Sequence, residues 1–486
     1  MKKITDLIRI LPTYQCQSDI ETITINSIEM DHREVKQGSL FICVKGFTVD
    51  GHDYAQAAVE RGAVAVISEK KMELSSPVIE VPDTKKALPL LANQFYDQPT
   101  KQFSLIGVTG TNGKTTVSHL INEMFENASY NTGLIGTIQM KINQQTSPVK
   151  NTTPDALFLQ KSFNEMVEND VDVATMEVSS HALDQGRVHG CLFDMAVFTN
   201  LSQDHLDYHN TMDQYLFAKS LLFSQLGNEY LSSRPKYAII NVDDTNALFL
   251  IKSTAQPVVT YGIKNEADFY ASEVTLHANG SSFVMHTPLG NLFIRSHLMG
   301  NFSIYNMLAA AASAYYAGIS LDMIKQVLEQ TTGVKGRFQP IKNNKGIGVI
   351  VDYAHTPDSL ENVLDTIQRF SNGNVRVIIG CGGDRDKAKR PLMAEVACRY
   401  ADEAIFTSDN PRSESPGAII DDMVDSLTYQ NYTIQLDRRK AIKTAIESAK
   451  EGDVVLIAGK GHETYQIIGD KVINFDDEQV ALSYLK

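Results

Sequence analysis

Residues 107–116 read Gly-Val-Thr-Gly-Thr-Asn-Gly-Lys-Thr-Thr. Such a string brings together main-chain N–H groups that glycines leave accessible, a cation in Lys114 and hydroxyls in Thr115 and Thr116. These are the parts that cradle a polyphosphate and its Mg²⁺. An apolar run, Phe103 to Val108, enters the string and a helical pattern leaves it at Thr115, so the positive end of a helix is aimed at phosphate oxygens. Lys114 reaches the outer phosphates, and the Thr115 hydroxyl ligates Mg²⁺. The usual spacing G-x-x-x-x-G-K-[ST] places glycine at 108, where this chain has Val108; its glycines fall at 107, 110 and 113. A glycine-rich turn without a ligand is the plainer alternative, but strand, Gly-Lys-Thr-Thr and helix follow in the order that nucleotide binding requires. The loop does not specify a reaction, because kinases, motors, GTPases and ligases all use it.

Two further strand ends carry chemistry-bearing side chains. Met176-Glu177-Val178-Ser179-Ser180-His181 offers Glu177 as a second Mg²⁺ ligand, although a solvated glutamate has the same appearance. Asn200 to His209 gathers Asp204, His205, Asp207 and His209, a density that suits metal or substrate. Lys219 lies in the apolar helical run Phe217 to Phe223, where a lysine with its stem packed and its head in water is the ordinary reading.

These residues need elements to place them. Strand-like runs at Phe103 to Val108, Val171 to Val178, Met195 to Thr199 and Tyr237 to Val242 alternate with helical stretches, which predicts a mostly parallel sheet. Runs at Ser39 to Val44 and Ala63 to Ile67, with helices near Tyr54 to Arg61 and Lys85 to Tyr96, form an earlier block. A later block has strands at Ile347 to Val351, Val375 to Ile379, Ala404 to Thr407 and Val454 to Ala458. Each later strand stops at a polar or glycine cluster: Asp352 to His355, Gly380 to Asp384, Asp409 to Arg412, and Gly459 to Glu463. Ligands of open α/β sheets bind beyond the carboxyl ends of strands, so the four clusters predict one binding edge. The expected organisation is α/β in three domains, 1–99, 100–332 and 333–486, in keeping with 486 residues.

A formal charge of −14 argues against nucleic acid as a partner. Cys16, Cys43, Cys191, Cys381 and Cys398 are scattered and without CxxC spacing, which fits a reducing compartment and neither a disulfide framework nor a zinc site. No window approaches 18 uninterrupted apolar residues, and Asp6 and Arg9 break the first apolar stretch. No membrane span or signal peptide is expected, and the cytoplasm is the expected location.

Taken together, Gly110-Thr111-Asn112-Gly113-Lys114-Thr115-Thr116, Glu177-Val178-Ser179-Ser180-His181, Asp204-His205-Leu206-Asp207-Tyr208-His209, Gly300-Asn301-Phe302, Gly336-Arg337, Asp352-Tyr353-Ala354-His355-Thr356-Pro357 and Gly459-Lys460-Gly461-His462-Glu463 resemble the Mur ligase family. The likeness covers nearly the whole chain in the family's motif order. It implies an N-terminal α/β UDP-binding domain, a central P-loop ATPase domain with a mostly parallel sheet, and a C-terminal Rossmann-like domain that brings an amino acid. It also implies ATP-dependent amide formation through an acyl phosphate, on a UDP-linked precursor of the bacterial cell wall. By the same resemblance Lys114, Thr115, Glu177 and His205 match phosphate and metal positions, with Asn301, Arg337 and His355 around the nucleotide. Lys219 matches a lysine that the family carbamylates to ligate a second Mg²⁺, which replaces the ordinary reading above. Asn151, Thr152, Thr153, Ser179, Gln185 and Arg187 match contacts to the muramoyl-peptide. Met30-Asp31-His32-Arg33 stands where the family usually has Asp-Ser-Arg, so His32 replaces a serine near UDP.

Asp409-Asn410-Pro411-Arg412 resembles the signature of members that add meso-diaminopimelate to UDP-N-acetylmuramoyl-L-alanyl-D-glutamate. Diaminopimelate is lysine with a second carboxylate and stereocentre, and a guanidinium recognises that carboxylate with two parallel hydrogen bonds. Arg412 is the expected guanidinium; Arg390, Gly459 and Glu463 match further amino-acid contacts. The substrates implied are ATP, that UDP-linked dipeptide and meso-diaminopimelate, with Mg²⁺ as cofactor and a monomer as the working form. L-lysine addition, a folylpolyglutamate synthetase-like ligase and a P-loop motor or switch are the alternatives.

Overall fold

The computed structural model describes residues 1–46, 49–230, 234–277 and 280–485. They form two compact units, one of Met1–Gly107, Ser129–Ala196 and Leu221–Lys236, the other of Val108–Ala128, Val197–Ser220 and Tyr237–Lys486.

In the first unit, four parallel strands lie side by side in the order Ser27–Glu29, Ser39–Ile42, Ala63–Ser68 and Val78–Glu80, and the short Gln15–Cys16 pairs antiparallel with the last. Every residue of Ser39–Ile42 is buried, as a strand covered on both faces requires. Leu40 and Ile42 pack with Ile4, Leu7, Leu88 and Leu91 on one face, and Phe41 and Cys43 pack with Ala55 and Ala58 on the other. Helix Thr84–Phe95 starts where the Asp83 carboxylate accepts from Lys86 N at 3.0 Å, a side-chain cap for an otherwise open first turn. Farther along, Val173–Glu177 runs parallel to Thr132–Ile135, and Met140–Ile142 and Gln145–Ser147 extend that pairing antiparallel. All five residues of Val173–Glu177 are buried, which fixes where Glu177 emerges.

In the second unit, Tyr237–Asn241, Val258–Gly262 and Phe269–His277 pair parallel in sequence. An antiparallel meander follows, Gly280–Thr287 on Phe269–His277 and Gly290–Ser296 on Gly280–Thr287. A separate six-stranded sheet has the order Gln339–Pro340, Gly348–Asp352, Val454–Ala458, Val375–Ile379, Glu403–Phe406, Tyr432–Ile434, with only the first strand antiparallel. Alternate residues feed two cores. Ile350, Val377, Ile379, Phe406 and Leu456 face one layer of helices, and Val349, Val351, Ile378, Ile405, Val455 and Ile457 face the other. The four strands read from the sequence are thus neighbours with one direction, and their polar ends emerge along a single edge, as the parallel geometry dictates.

An ion pair seals one side of this sheet. Arg438 and Asp477 have fully buried side chains, with Nε to Oδ1 at 2.8 Å and Nη2 to Oδ2 at 2.7 Å, and Nη2 also donates to Ala458 O at 2.9 Å. A two-pronged pair is the geometry in which mutual attraction offsets desolvation, and removing one partner strands the other charge. Arg438→Met is expected to lower the unfolding free energy by about 3–5 kcal/mol in denaturant titration, and Arg438→Met with Asp477→Leu to recover most of it. Losses that simply add would contradict the pairing.

Candidate active site

The strand Ser104–Thr109 leads into the phosphate loop, and helix Lys114–Asn127 leaves it. Gly110 has φ 146° and Gly113 φ 88°, and a Cβ on Gly110 would lie 1.8 Å from Thr199 Oγ1. Glycine is therefore required at 110 by both conformation and space. The loop is strapped to the next strand end: Thr111 N donates to Asn200 O at 2.8 Å, and Asn112 N to Asn200 Oδ1 at 3.0 Å. Lys114 Nζ donates to Gly110 O at 2.9 Å and Thr111 O at 2.8 Å, folding its ammonium over the loop. No side chain caps the first turn of the helix beyond, so that turn is presented as an anion site rather than closed off. Arg337 Nη2 donates to Thr115 Oγ1 at 2.9 Å, and its guanidinium lies 4.4 Å from the Tyr353 ring centroid. Asn301 opens helix Asn301–Tyr316 behind Gly300, and the Asn306 amide lies against Gly113. Gly110 to Thr116, Asn301 and Arg337 all belong to this second unit.

Beside the loop, Lys219 is buried, with Nζ donating to Gly110 O at 2.8 Å and lying 4.3 Å from the Tyr215 ring centroid. Tyr215 sits one turn earlier on helix Met212–Ser224. Burial, then the Lys114 charge, pushes the Lys219 ammonium well down from its usual range. The sequence default of a lysine head in water is therefore corrected: an apolar helical run here encloses the amine instead of lifting it to the surface. A neutral amine in such a setting is nucleophilic towards CO₂. An amine is a poor ligand for Mg²⁺, whereas the oxygens of a carbamate suit a hard cation.

Asp204 is buried near three cations or potential cations: His205 Nε2 at 3.4 Å, His355 Nε2 at 3.8 Å and Lys389 Nζ at 3.8 Å. Burial pushes its carboxyl up, but His205, His355 and Lys389 together outweigh this and hold it down at about 2. His355 is itself held down at about 4 by burial and then Lys389, so it is neutral at pH 7. Its Nδ1–H donates to Tyr353 O at 2.8 Å. The Asp204–Lys389 pair therefore carries the charge here, and His355 contributes shape. Asp204 and Lys389 were absent from the expected site; the Asp-His-Leu-Asp-Tyr-His string did point to the former. Among the described residues no group of three or more His, Cys, Asp or Glu side chains forms a ready-made metal site.

In the first unit, Glu177 is enclosed and both its oxygens are oriented. Thr137 N donates to Oε1 at 2.7 Å and Thr137 Oγ1 to Oε2 at 3.0 Å. Thr152 Oγ1 lies 3.0 Å from Thr137 Oγ1, Thr153 Oγ1 donates to Glu177 O at 2.8 Å, and Ser179 N donates to Thr153 Oγ1 at 3.0 Å. Arg187 closes the network, with Nη1 to Thr153 O at 2.9 Å and Nη2 to Gln185 Oε1 at 2.8 Å. Asn151 adjoins this group in sequence, and Ser179 also caps helix Ser180–Asp184. Thr137 is a member the sequence reading missed, since an isolated threonine gives no signal. Met30 and His32 lie elsewhere in this unit. His32 stacks on Tyr54 at 4.5 Å, and Arg33 forks Asp31 through Nε at 2.9 Å and Nη2 at 2.6 Å. Those bonds, Arg33 first, hold the Asp31 carboxyl at about 2.

At the C-terminal sheet edge, Asp409 and Asn410 are buried, and Pro411 and Arg412 follow. Arg412 adopts φ 51°. Its Nη1 donates to Gly383 O at 2.7 Å, its main-chain N to Ile467 O at 3.1 Å, and among the described residues no carboxylate forms an ion pair with it. Gly459, at φ 107°, lies against Asp409, where a Cβ would meet Oδ2 at 2.9 Å. Glu463 Oε2 accepts from Asn410 Nδ2 at 2.8 Å and Lys460 Nζ at 2.8 Å. Arg390 does not share this setting. It is fully buried, with Nη1 on Glu414 and Asp422 and Nη2 on Glu414 and Gly382 O. Its place as a direct amino-acid contact is corrected on that ground: its charge is matched internally and it props the Gly382 loop. The exposed cation beside Arg412 is Arg385, since a Cβ on Gly382 would meet Arg412 Nη1 at 2.9 Å and Arg385 Cγ at 3.7 Å.

Comparison with known proteins places this geometry in a family. Three family models match in order: the Mur ligase family catalytic domain at residues 20–96, the Mur ligase middle domain at 108–314, and the Mur ligase glutamate ligase domain at 336–461. A UDP-N-acetylmuramoyl-L-alanyl-D-glutamate–2,6-diaminopimelate ligase of Oceanobacillus iheyensis is 55% identical over 100% of this chain and 99% of its own length. The enzyme of that name from Listeria monocytogenes serotype 4b is 52% identical over 99% and 98%. A solved structure of a ligase with the same name superposes with a TM-score of 0.71 at 35% identity, covering 99% of this chain and 98% of the other. Phosphate loop, strand-end carboxylates and guanidinium edge thus occur in a chain matched along its length, and this chain belongs to the Mur ligase family.

Proposed function

We propose that the protein is an ATP-dependent ligase that adds meso-diaminopimelate to UDP-N-acetylmuramoyl-L-alanyl-D-glutamate in cell-wall precursor synthesis, releasing ADP and phosphate. The observation that carries the specificity is Arg412, a guanidinium held at a sheet edge by bonds to main-chain oxygens and, among the described residues, within ion-pair distance of no carboxylate. A carboxylate-bearing amino acid supplies that partner, and L-lysine does not. Full-length identity above 50% to ligases of that name supports the same reading.

The chemistry joins two anions and then an amine. The D-glutamyl carboxylate attacks the terminal phosphorus of ATP, ADP leaves, and an acyl phosphate forms. The amine of diaminopimelate attacks its carbonyl carbon and loses a proton, and phosphate departs as the amide forms. Lys114 and the first turn of its helix neutralise the outer phosphates, and Arg337, now on Thr115, is placed to take a phosphate oxygen. Bound Mg²⁺ would shield charge between phosphate oxygens. In the second unit Thr115, His205 and carbamylated Lys219 are proposed as metal ligands, the carbamate for a second Mg²⁺; in the first unit Glu177 is proposed as a metal ligand in its own right. The network around Thr152, Thr153, Ser179, Gln185 and Arg187 is proposed for the muramoyl-peptide, with Met30 and His32 for the UDP end. Arg412 and Arg385 face the distal carboxylate, and Glu463 and Asp409 suit the distal ammonium. The working form is proposed as a cytoplasmic monomer; no helix among the described residues is long and apolar enough to cross a membrane.

Three variants test these assignments. Lys114→Ala should lower kcat by about 10²–10³-fold or more with an unchanged melting temperature; near-native turnover would remove the loop from catalysis. Arg412→Ala should weaken diaminopimelate selection by about 2–5 kcal/mol, read as the ratio of kcat/KM for diaminopimelate over L-lysine, with KM for ATP little changed. An unchanged ratio would defeat the specificity reading. Lys219→Ala should lose most activity and regain part of it with added formate or acetate; loss without rescue would argue against a carbamate.

A further inference from the structure

Between the two motifs that carry the amino-acid site lies a lysine that touches no solvent. Lys460 is flanked by Gly459 at φ 107° and Gly461 at φ 54°, and its side chain is fully buried. A left-handed residue on each side turns the chain inward at Lys460, which only glycine allows without strain. The turn is tight: a Cβ on Gly461 would stand 2.6 Å from Gly336 O, and one on Gly336 2.1 Å from His462 N. The ammonium thus enters the domain instead of reaching a ligand.

There it meets both motifs. Nζ lies 2.8 Å from Glu463 Oε2 and 3.2 Å from Asn410 Oδ1, while Asn410 Nδ2 donates to the same Glu463 oxygen at 2.8 Å. The three side chains close a ring of hydrogen bonds. Ile467 N donates to Asn410 Oδ1 at 3.0 Å, and Gln466 Nε2 to Asp409 O at 2.6 Å, tying the ring to the strand that follows. Both bonds to Glu463 fall on Oε2, and among the described residues none reaches Oε1. One carboxylate oxygen is anchored inside, and the other remains an acceptor.

We infer that Lys460 is a positioning residue for amino-acid selection: it clamps Asn410 and Glu463 from behind so that Glu463 offers one fixed oxygen to the ammonium of the incoming amino acid. This rests on the reading of that edge as the diaminopimelate site. A buried ammonium needs a carboxylate partner, and one whose other oxygen faces a ligand is fixed by that pairing. Lys460 acts only through Glu463 and Asn410 and touches neither ATP nor the reacting atoms.

The test is a double-mutant cycle on the full-length enzyme with Lys460→Met, Glu463→Gln and the two combined, reading kcat and KM for diaminopimelate and for ATP. Lys460→Met is expected to raise KM for diaminopimelate at least tenfold and to leave KM for ATP within twofold. In the Glu463→Gln background it should add less than threefold, since the group it orients is already disabled. Lys460→Gln, which keeps a donor in the same space, should lie between native and Lys460→Met and supplies the measurement should the methionine variant not fold. Equal effects on both substrates, an unchanged KM for diaminopimelate, or effects that multiply in the double variant overturn the assignment while native turnover stands. A native enzyme that makes no diaminopimelate product overturns the functional reading itself.

Discussion

Two anions, a nucleoside triphosphate and a carboxylate, have to meet in a chain that carries a net charge of −14. Coulomb repulsion at contact distance is severe wherever water is excluded, so cations must be fixed in place before the substrates arrive. The second unit holds three cations in place: Lys114 folded over its own loop, Arg337 on Thr115, and Lys389 against Asp204. Each is held by a backbone carbonyl, a hydroxyl or a buried carboxylate, so little reorganisation accompanies the arrival of charge.

That placement depends on backbones approaching closer than side chains permit. Gly110 lies against Thr199, Gly113 against Asn306, and Gly336 against the chain at Gly461 and His462. The same device brings Gly459 onto Asp409. Parallel strands deliver the Gly459 and Asp409 turns to one edge of the C-terminal sheet, with two apolar cores packed behind that edge. Buried charge is used in two ways there. Arg438–Asp477 and Arg390–Glu414 are paired internally, whereas among the described residues no carboxylate lies within ion-pair distance of Arg412, the guanidinium proposed for a ligand.

Much of this was legible in the sequence, for a physical reason. Strands buried on both faces read as unbroken apolar runs, and Val375–Ile379 and Val454–Ala458 match their expected bounds. The phosphate loop was legible because its glycines and lysine have no cheaper use in that order. The antiparallel meander from Phe269–His277 to Gly290–Ser296 was not, since its alternating half-exposed residues give a weak pattern. Nor could sequence distinguish Arg390 from Arg385, because both lie in one polar stretch and only packing shows which is turned inward. Lys219 departs from the local rule because its helical run encloses the amine against Gly110 O, which spacing alone does not reveal. Thr137 and Lys389 act through partners distant in sequence, where spacing carries no information.

The reaction and its choice of amino acid can be read in one experiment. The direct measurement is mass spectrometry of products from ATP, Mg²⁺ and UDP-N-acetylmuramoyl-L-alanyl-D-glutamate, with meso-diaminopimelate and L-lysine offered in parallel. An adduct with diaminopimelate is expected, with little from lysine and one ADP released per amide formed. A preference for lysine would contradict the role given to the Arg412 edge. ATP hydrolysis by folded protein without an adduct from either amino acid would contradict the ligase assignment.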